Sequence, residues 1–140
     1  MQFYDMHSHI LPNIDDGAKT LEDSLKLLSC LEKQGVTNVC LTPHFYTNEI
    51  SIEDLKRLGV VIQTNISNYT KKAPMMKRRR MLKLVSAGLI DIIGTDAHSF
   101  SHNTPELYSD AIECIAKKCG RQAVDSLMKN SEKIFNAAIG

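Results

Sequence analysis

Two apolar runs near opposite ends of this chain break off into the same kind of chemistry. Phe3 to Met6 leads into Asp5-Met6-His7-Ser8-His9, and Leu89 to Thr95 delivers Asp96-Ala97-His98. In an extended chain residues i and i+2 point to the same side, so His7 and His9 present two imidazoles to one point. Strand ends of this kind are where α/β barrels build their sites. A fold for this sequence must bring such ends together on one face.

The rest of the chain alternates in the way such a fold requires. Thr20 and Asp23 form a capping-box pattern ahead of an apolar stripe of Leu21, Leu25, Leu28 and Leu31, with Leu27 beside it. Gly35 ends that helix, and Val36 to Thr42 reads as a buried strand stopped by Pro43. Gly59 to Asn65 is a further strand, and Met75 to Ala87 a helix closed by Gly88. The tail predicts helices over Pro105–Cys119 and Gln122–Leu127, then a last one capped by Ser131 and running through Ala138. Strands alternating with helices imply α/β with parallel strands. No repeat, linker or low-complexity stretch divides the chain, so residues 1–140 are expected to form one domain. Phe45 to Leu58 offers only Ile52 to Leu58 for a helix, two turns at most.

Composition narrows the function. With 17 Lys+Arg against 16 Asp+Glu the chain is nearly neutral, unlike a dedicated nucleic-acid binder with its basic face. No stretch reads as a membrane span, and Met1 to Asp5 lacks the pattern of a signal peptide, so a cytoplasmic location is expected. Cys30, Cys40, Cys114 and Cys119 then read as reduced thiols, the last two at helix positions with no zinc spacing. Lys77-Arg78-Arg79-Arg80, with Lys71 and Lys72 nearby, has two readings. It could steer an acidic phosphorylated tail toward the site. The favoured one is the solvated face of a helix whose apolar side is Met76, Leu82, Leu84 and Val85.

The polar strand ends form a constellation. Asp15-Asp16-Gly17 follows the first histidine pair, His44 ends the Val36 strand, and Asp96 and His98 end the last, so four of the 5 histidines occupy such positions. Mixed imidazole and carboxylate donors suit manganese, iron or zinc better than calcium or magnesium, and their number suggests two or more ions. Such clusters bridge a hydroxide and clamp the oxygens of a displaced phosphoryl group. The reaction expected is metal-assisted hydrolysis with water as nucleophile.

The stretch from Asp5 to Ala18, then Ser24-Leu25, Thr42-Pro43-His44, Gly59 to Asn65 and Gly88 to His98, resembles the bacterial tyrosine-protein phosphatases of the PHP (polymerase and histidinol phosphatase) superfamily. These are manganese-dependent enzymes of capsule and exopolysaccharide loci. The resemblance implies a distorted, TIM-like (β/α) barrel and a phosphotyrosine protein, such as a bacterial tyrosine kinase tail, as substrate. It implies that His7, His9 and Asp96 hold one metal and that Asp16, His44 and His98 hold another, with Asp16 ranked above Asp15. His44, Asp96 and His98 are the residues expected to serve catalysis.

The chain departs from this family in two places. A (β/α)₈ barrel takes ~250 residues and ~200 at the least, so 140 residues imply a truncated barrel. The strand–helix units that supply a bridging glutamate, a further glutamate and a histidine in relatives are missing between about 45 and 58. Downstream of His98, relatives often place an arginine and paired prolines where this chain has His102-Asn103-Thr104-Pro105. His102 there is either a solvated loop residue or a pH-dependent phosphate donor. The alternatives to phosphotyrosine hydrolysis are therefore a shortened, catalytically weak module that binds metal or phosphoprotein, or that completes its site as a homo-oligomer, and a small phosphate-ester hydrolase.

Overall fold

The computed structural model describes residues 1–13, 15–42 and 61–140. Four short parallel strands carry the architecture. Strand β1 (Phe3–Asp5) pairs with β2 (Val36–Val39), and β3 (Gln63–Asn65) pairs with β4 (Ile92–Gly94). The two pairs meet through β1 and β4: Met6 N–H donates to the Ile93 carbonyl at 3.2 Å, Asp96 N–H to that of His7 at 2.6 Å, and His9 N–H to that of Ala97 at 2.8 Å. A parallel bridge between Ser8 and Ala97 continues the seam. The order in space is thus β2-β1-β4-β3, with the sequence-distant strands β1 and β4 in the middle. Among the described residues these strands form an open series. β2 and β3 are its outer members, and residues 43–60 join them in sequence. The expected helix at Ile52 to Leu58, the start of the expected strand at Gly59, and His44 lie outside the described residues.

Pairing outlasts the regular strands at their C-terminal ends. Cys40 N–H donates to the Asp5 carbonyl and Thr42 N–H to that of Ser8, both at 2.8 Å; the expected buried strand from Val36 to Thr42 is thus regular only through Val39, with pairing running on to Thr42 and Leu41 44% exposed. These extensions matter because they hold Ser8, between His7 and His9, to the chain on both sides.

Helix α1 (Leu21–Lys33) begins at the expected capping box, with Thr20 and Asp23 satisfying each other's backbone N–H, and Gly35 follows at φ 83°. Its buried face differs from the expected leucine stripe. Ser24, Leu27 and Leu31 are buried, whereas Leu21 and Leu25 are 65% and 57% exposed. Residues 24, 27 and 31 share one face at helical spacing, and the Ser24 hydroxyl donates to the Ile10 carbonyl at 2.5 Å. A polar anchor therefore sets the rotation of the helix, which hydropathy alone does not register. Helix α2 (Met75–Ser86) shows the same correction: Met81 and Val85 are buried, while Met76 is 81% exposed.

After a 3₁₀ turn at Pro105–Leu107 come α3 (Tyr108–Cys119) and α4 (Arg121–Ile139). The last two helices expected in the tail are one continuous helix, α4, and Ser131 caps nothing. Its buried hydroxyl donates to the Leu127 carbonyl at 2.9 Å, one turn back, which satisfies it without ending the helix. Leu27, Leu31, Ile93, Ile115 and Leu127 meet in one core, each worth roughly 1.5–3 kcal/mol when fully buried. The Tyr108 hydroxyl donates to the Tyr4 carbonyl at 2.6 Å, fastening α3 to β1. All four cysteines are free thiols, and no helix among the described residues is long and apolar enough to cross a membrane.

Candidate metal centre

Beyond the C-terminal ends of β1 and β4, three donor atoms form an equilateral triangle. His7 Nε2 to His9 Nε2, His7 Nε2 to Asp96 Oδ1, and His9 Nε2 to Asp96 Oδ1 are each 3.1 Å. An octahedral ion with bonds of ~2.1 Å has a face with edges of about 3.0 Å, so the triangle fits one face of a first-row divalent ion. Two imidazoles and one carboxylate on a face is also a donor set that such ions favour.

Each donor is braced from behind. His9 Nδ1 meets Asp15 Oδ2 at 2.7 Å, and His7 Nδ1 meets Gln63 Oε1 at 3.0 Å. These contacts turn both Nε2 atoms toward the shared point, the outer-shell arrangement that fixes tautomer and ring orientation in metal sites. On Asp96, Asn65 Nδ2 donates to Oδ2 at 2.9 Å and Asn103 Nδ2 at 2.7 Å. One oxygen is thus held by two amides while Oδ1 faces the imidazoles. Burial works to raise the Asp96 pKa, but the His7 hydrogen bond and the surrounding imidazoles outweigh it and the net shift is downward. The Asp96 hydrogen bond in turn raises the His7 pKa against the effect of burial.

The backbone has been shaped to allow this closeness. A Cβ on Gly94 would run into the backbone and Cβ of His7, and one on Gly17 into the His9 carbonyl. Only glycine fits where β4 and the loop after β1 cross so tightly. Asp5, wholly buried, accepts hydrogen bonds from the Thr95 N–H at 2.7 Å and from the Thr95 hydroxyl. Burial pushes its carboxyl up to about 6, although the Thr95 bonds oppose the shift. It ties the two central strands together directly beneath the triangle.

A second group adjoins the first. His98 Nε2 lies 3.0 Å from Asp16 Oδ1, and His9 Nδ1 lies 4.0 Å from the same oxygen. The His9 and His98 rings stack with centroids 4.0 Å apart. His9, Asp16 and His98 could hold an ion, as could His7, His9 and Asp96. The expected separation of Asp15 from Asp16 acquires a physical form here: Asp15 backs His9, while Asp16 faces His98. His102 meets His98 edge to face, with ring centroids 4.9 Å apart. Beside His98 a cleft of about 300 Å³ is lined by Ala18, Leu27 and Phe100, with Lys19 and Lys26 at its wall.

Five of the six expected ligands are therefore close together, and His44 lies outside the described residues. The sequence gives no role to Asp5, Gln63, Asn65 or Asn103, although Asn65 is the last residue of β3. A signal was present. Gln63 and Asn65 stand two apart at a strand end, the spacing that singled out His7 and His9.

The parallel strand ends define an α/β protein that gathers two groups of side chains able to hold a metal ion, and sequence comparison gives the family. The family model for capsular polysaccharide synthesis, CpsB/CapC, matches residues 3–51 and 46–136, and the chain belongs to that family. It is 36% identical over 56 residues to the putative tyrosine-protein phosphatase CapC of Staphylococcus aureus, covering 37% of this chain and 22% of that protein. Identity is 41% over 49 residues to the tyrosine-protein phosphatase YwqE of Bacillus subtilis, covering 32% and 19% respectively. It is 50% over 40 residues to the tyrosine-protein phosphatase CpsB of Streptococcus agalactiae, covering 29% and 16%. The matched stretches thus span about a fifth of these relatives' length. Among solved structures, the crystal structures of YwqE from Bacillus subtilis and CpsB from Streptococcus pneumoniae, described as unique metal-dependent tyrosine phosphatases, include a chain of the same fold. It superposes with a TM-score of 0.80 and 16% identity over 96% of this chain and 94% of that one.

Proposed function

We propose that this chain is a metal-dependent phosphoesterase that hydrolyses phosphotyrosine in proteins of capsular or exopolysaccharide synthesis. The 3.1 Å triangle of His7, His9 and Asp96 is the observation that carries the reading, and family membership supplies the substrate class. His7, His9 and Asp96 would hold one ion, and Asp16 and His98, with His44, another; manganese is the first expectation, iron or zinc the alternatives. When bound, such ions act as Lewis acids on phosphoryl oxygens and supply activated water at neutral pH. Asp15 and Gln63 hold the two imidazoles in one tautomer, while Asn65 and Asn103 keep Asp96 oriented. Asp96 and His98, with His44, border the place where the phosphoryl group would lie. Leu27 and Phe100 form an apolar wall for an aryl ring at the cleft beside His98, which Lys19, Lys26 and Asp23 also line. The four parallel strands are read as part of a distorted, shortened PHP-type barrel forming one cytoplasmic domain.

A second reading rests on the two-piece family match, which divides at residues 46–51. That is where the sequence lacks strand–helix units, and a shortened module could bind metal or phosphoprotein with little turnover. The test is manganese stoichiometry and phosphotyrosine-peptide turnover of the purified chain beside His9→Ala. Metal binding with His9-dependent turnover is expected. Metal without turnover would leave the second reading standing, and no bound metal would sink both.

A further inference from the structure

The charge of this chain is sorted along its length. Seven of its 17 cations lie between Lys71 and Lys83, with no carboxylate among them, so the remainder is net acidic. The structure places this run on α2 and the turn before it. Lys71, Lys72, Arg79 and Arg80 are exposed, and among the described residues none of these cations is in an ion pair.

These cations border a groove. A channel of about 850 Å³ runs between α2 and α3, with Tyr69, Leu82 and Leu107 in its floor, Lys71, Lys72 and Arg79 on one rim, and Lys117 and Lys118 at the far end. Its length along α3, from Leu107 to Lys118, is ~16 Å at the helical rise, room for about five residues of extended chain. One end of the groove lies a short span of chain from the residues that hold Asp96. Tyr69 is four residues after Asn65 and Leu107 four residues after Asn103, and both asparagines hold Asp96. Four residues reach at most ~14 Å.

We infer that the α2–α3 groove docks an acidic segment of a polypeptide whose phosphorylated residue reaches the metal centre. This deepens the phosphatase reading and rests on it for the word phosphorylated. An extended peptide is favoured over a lipid surface because the cations line a concavity with an apolar floor, which a flat bilayer does not enter. It is favoured over a nucleic acid because Asp110 and Glu113 also line the groove and would repel a continuous phosphate backbone. A peptide can place its carboxylates against the rim and its apolar side chains on the floor.

The test uses fluorescence anisotropy with three labelled peptides: one acidic with phosphotyrosine at one end, its unphosphorylated form, and a Gln/Asn-substituted phosphopeptide. Lys72→Glu/Arg79→Glu is compared with Lys129→Glu/Lys133→Glu, an equal charge change on the exposed side of α4, after both pass a circular-dichroism melt. The groove pair should weaken both acidic peptides about tenfold, with the control pair and the neutral peptide close to unchanged. Binding of the unphosphorylated acidic peptide through the groove would support the docking site even if the chain turns nothing over. Turnover of the neutral phosphopeptide with no advantage for the acidic one would overturn the groove and leave the phosphatase standing. Equal losses in both variant pairs would also overturn it. So would groove-dependent sedimentation with phosphatidylglycerol vesicles without preference for the acidic peptide.

Discussion

The two candidate ion sites share His9 but are built differently. The His7–His9–Asp96 group lies just beyond the ends of the two central strands, and each of its members has a polar brace behind it. The Asp16–His98 group joins a strand end to a loop, and Asp16 is 59% exposed. A braced donor is held in place by its neighbours, whereas an exposed loop donor must be ordered as the ion binds. The first group should therefore bind the tighter ion.

Four variants would break or sharpen that contrast. The largest effect is expected for His9→Ala, which removes one donor of the triangle and should abolish tight binding at the first site, read as manganese stoichiometry by calorimetry. Next comes Asn65→Ala with Asn103→Ala: freeing Asp96 Oδ2 should cost ~10–100-fold in affinity at the first site without changing the circular dichroism spectrum. Unchanged affinity would show that the strand alone orients Asp96. Gly94→Ala drives a methyl group into His7 and should destabilise the chain by ~1–3 kcal/mol, seen as a lower midpoint in urea. The smallest effect at the first site belongs to Asp16→Ala, which should lose the weaker ion and leave the tighter one nearly untouched. If Asp16→Ala instead removes the tighter ion, the ranking of the two sites is reversed.

The same contrast explains what the sequence made legible. His7, His9, Asp96 and His98 stand out because titratable residues at strand ends have few structural uses. The helix boundaries of α1 were legible from Thr20, Asp23 and Gly35, whose local hydrogen bonds and backbone angle do not depend on the rest of the fold. The rotation of α1 was not, since it depends on Ser24 meeting a carbonyl 14 residues away. Nor was the bracing of Asp96: Asn65 is 31 residues distant in sequence, and a neutral amide carries no compositional mark of its task. The tail misled through Ser131, whose cap-forming chemistry was satisfied inside a helix.

The placement of β1 and β4 side by side has one more effect. The first site is assembled from the two ends of the sequence, and the stretch that joins β2 to β3, the outer members of the described strands, supplies none of its three donors. Length can be gained or lost there while His7, His9 and Asp96 keep their registration. In a lineage that trims or extends this connection, the ion-binding corner would persist as a fixed anvil, and what changes is the shape of whatever is brought down upon it.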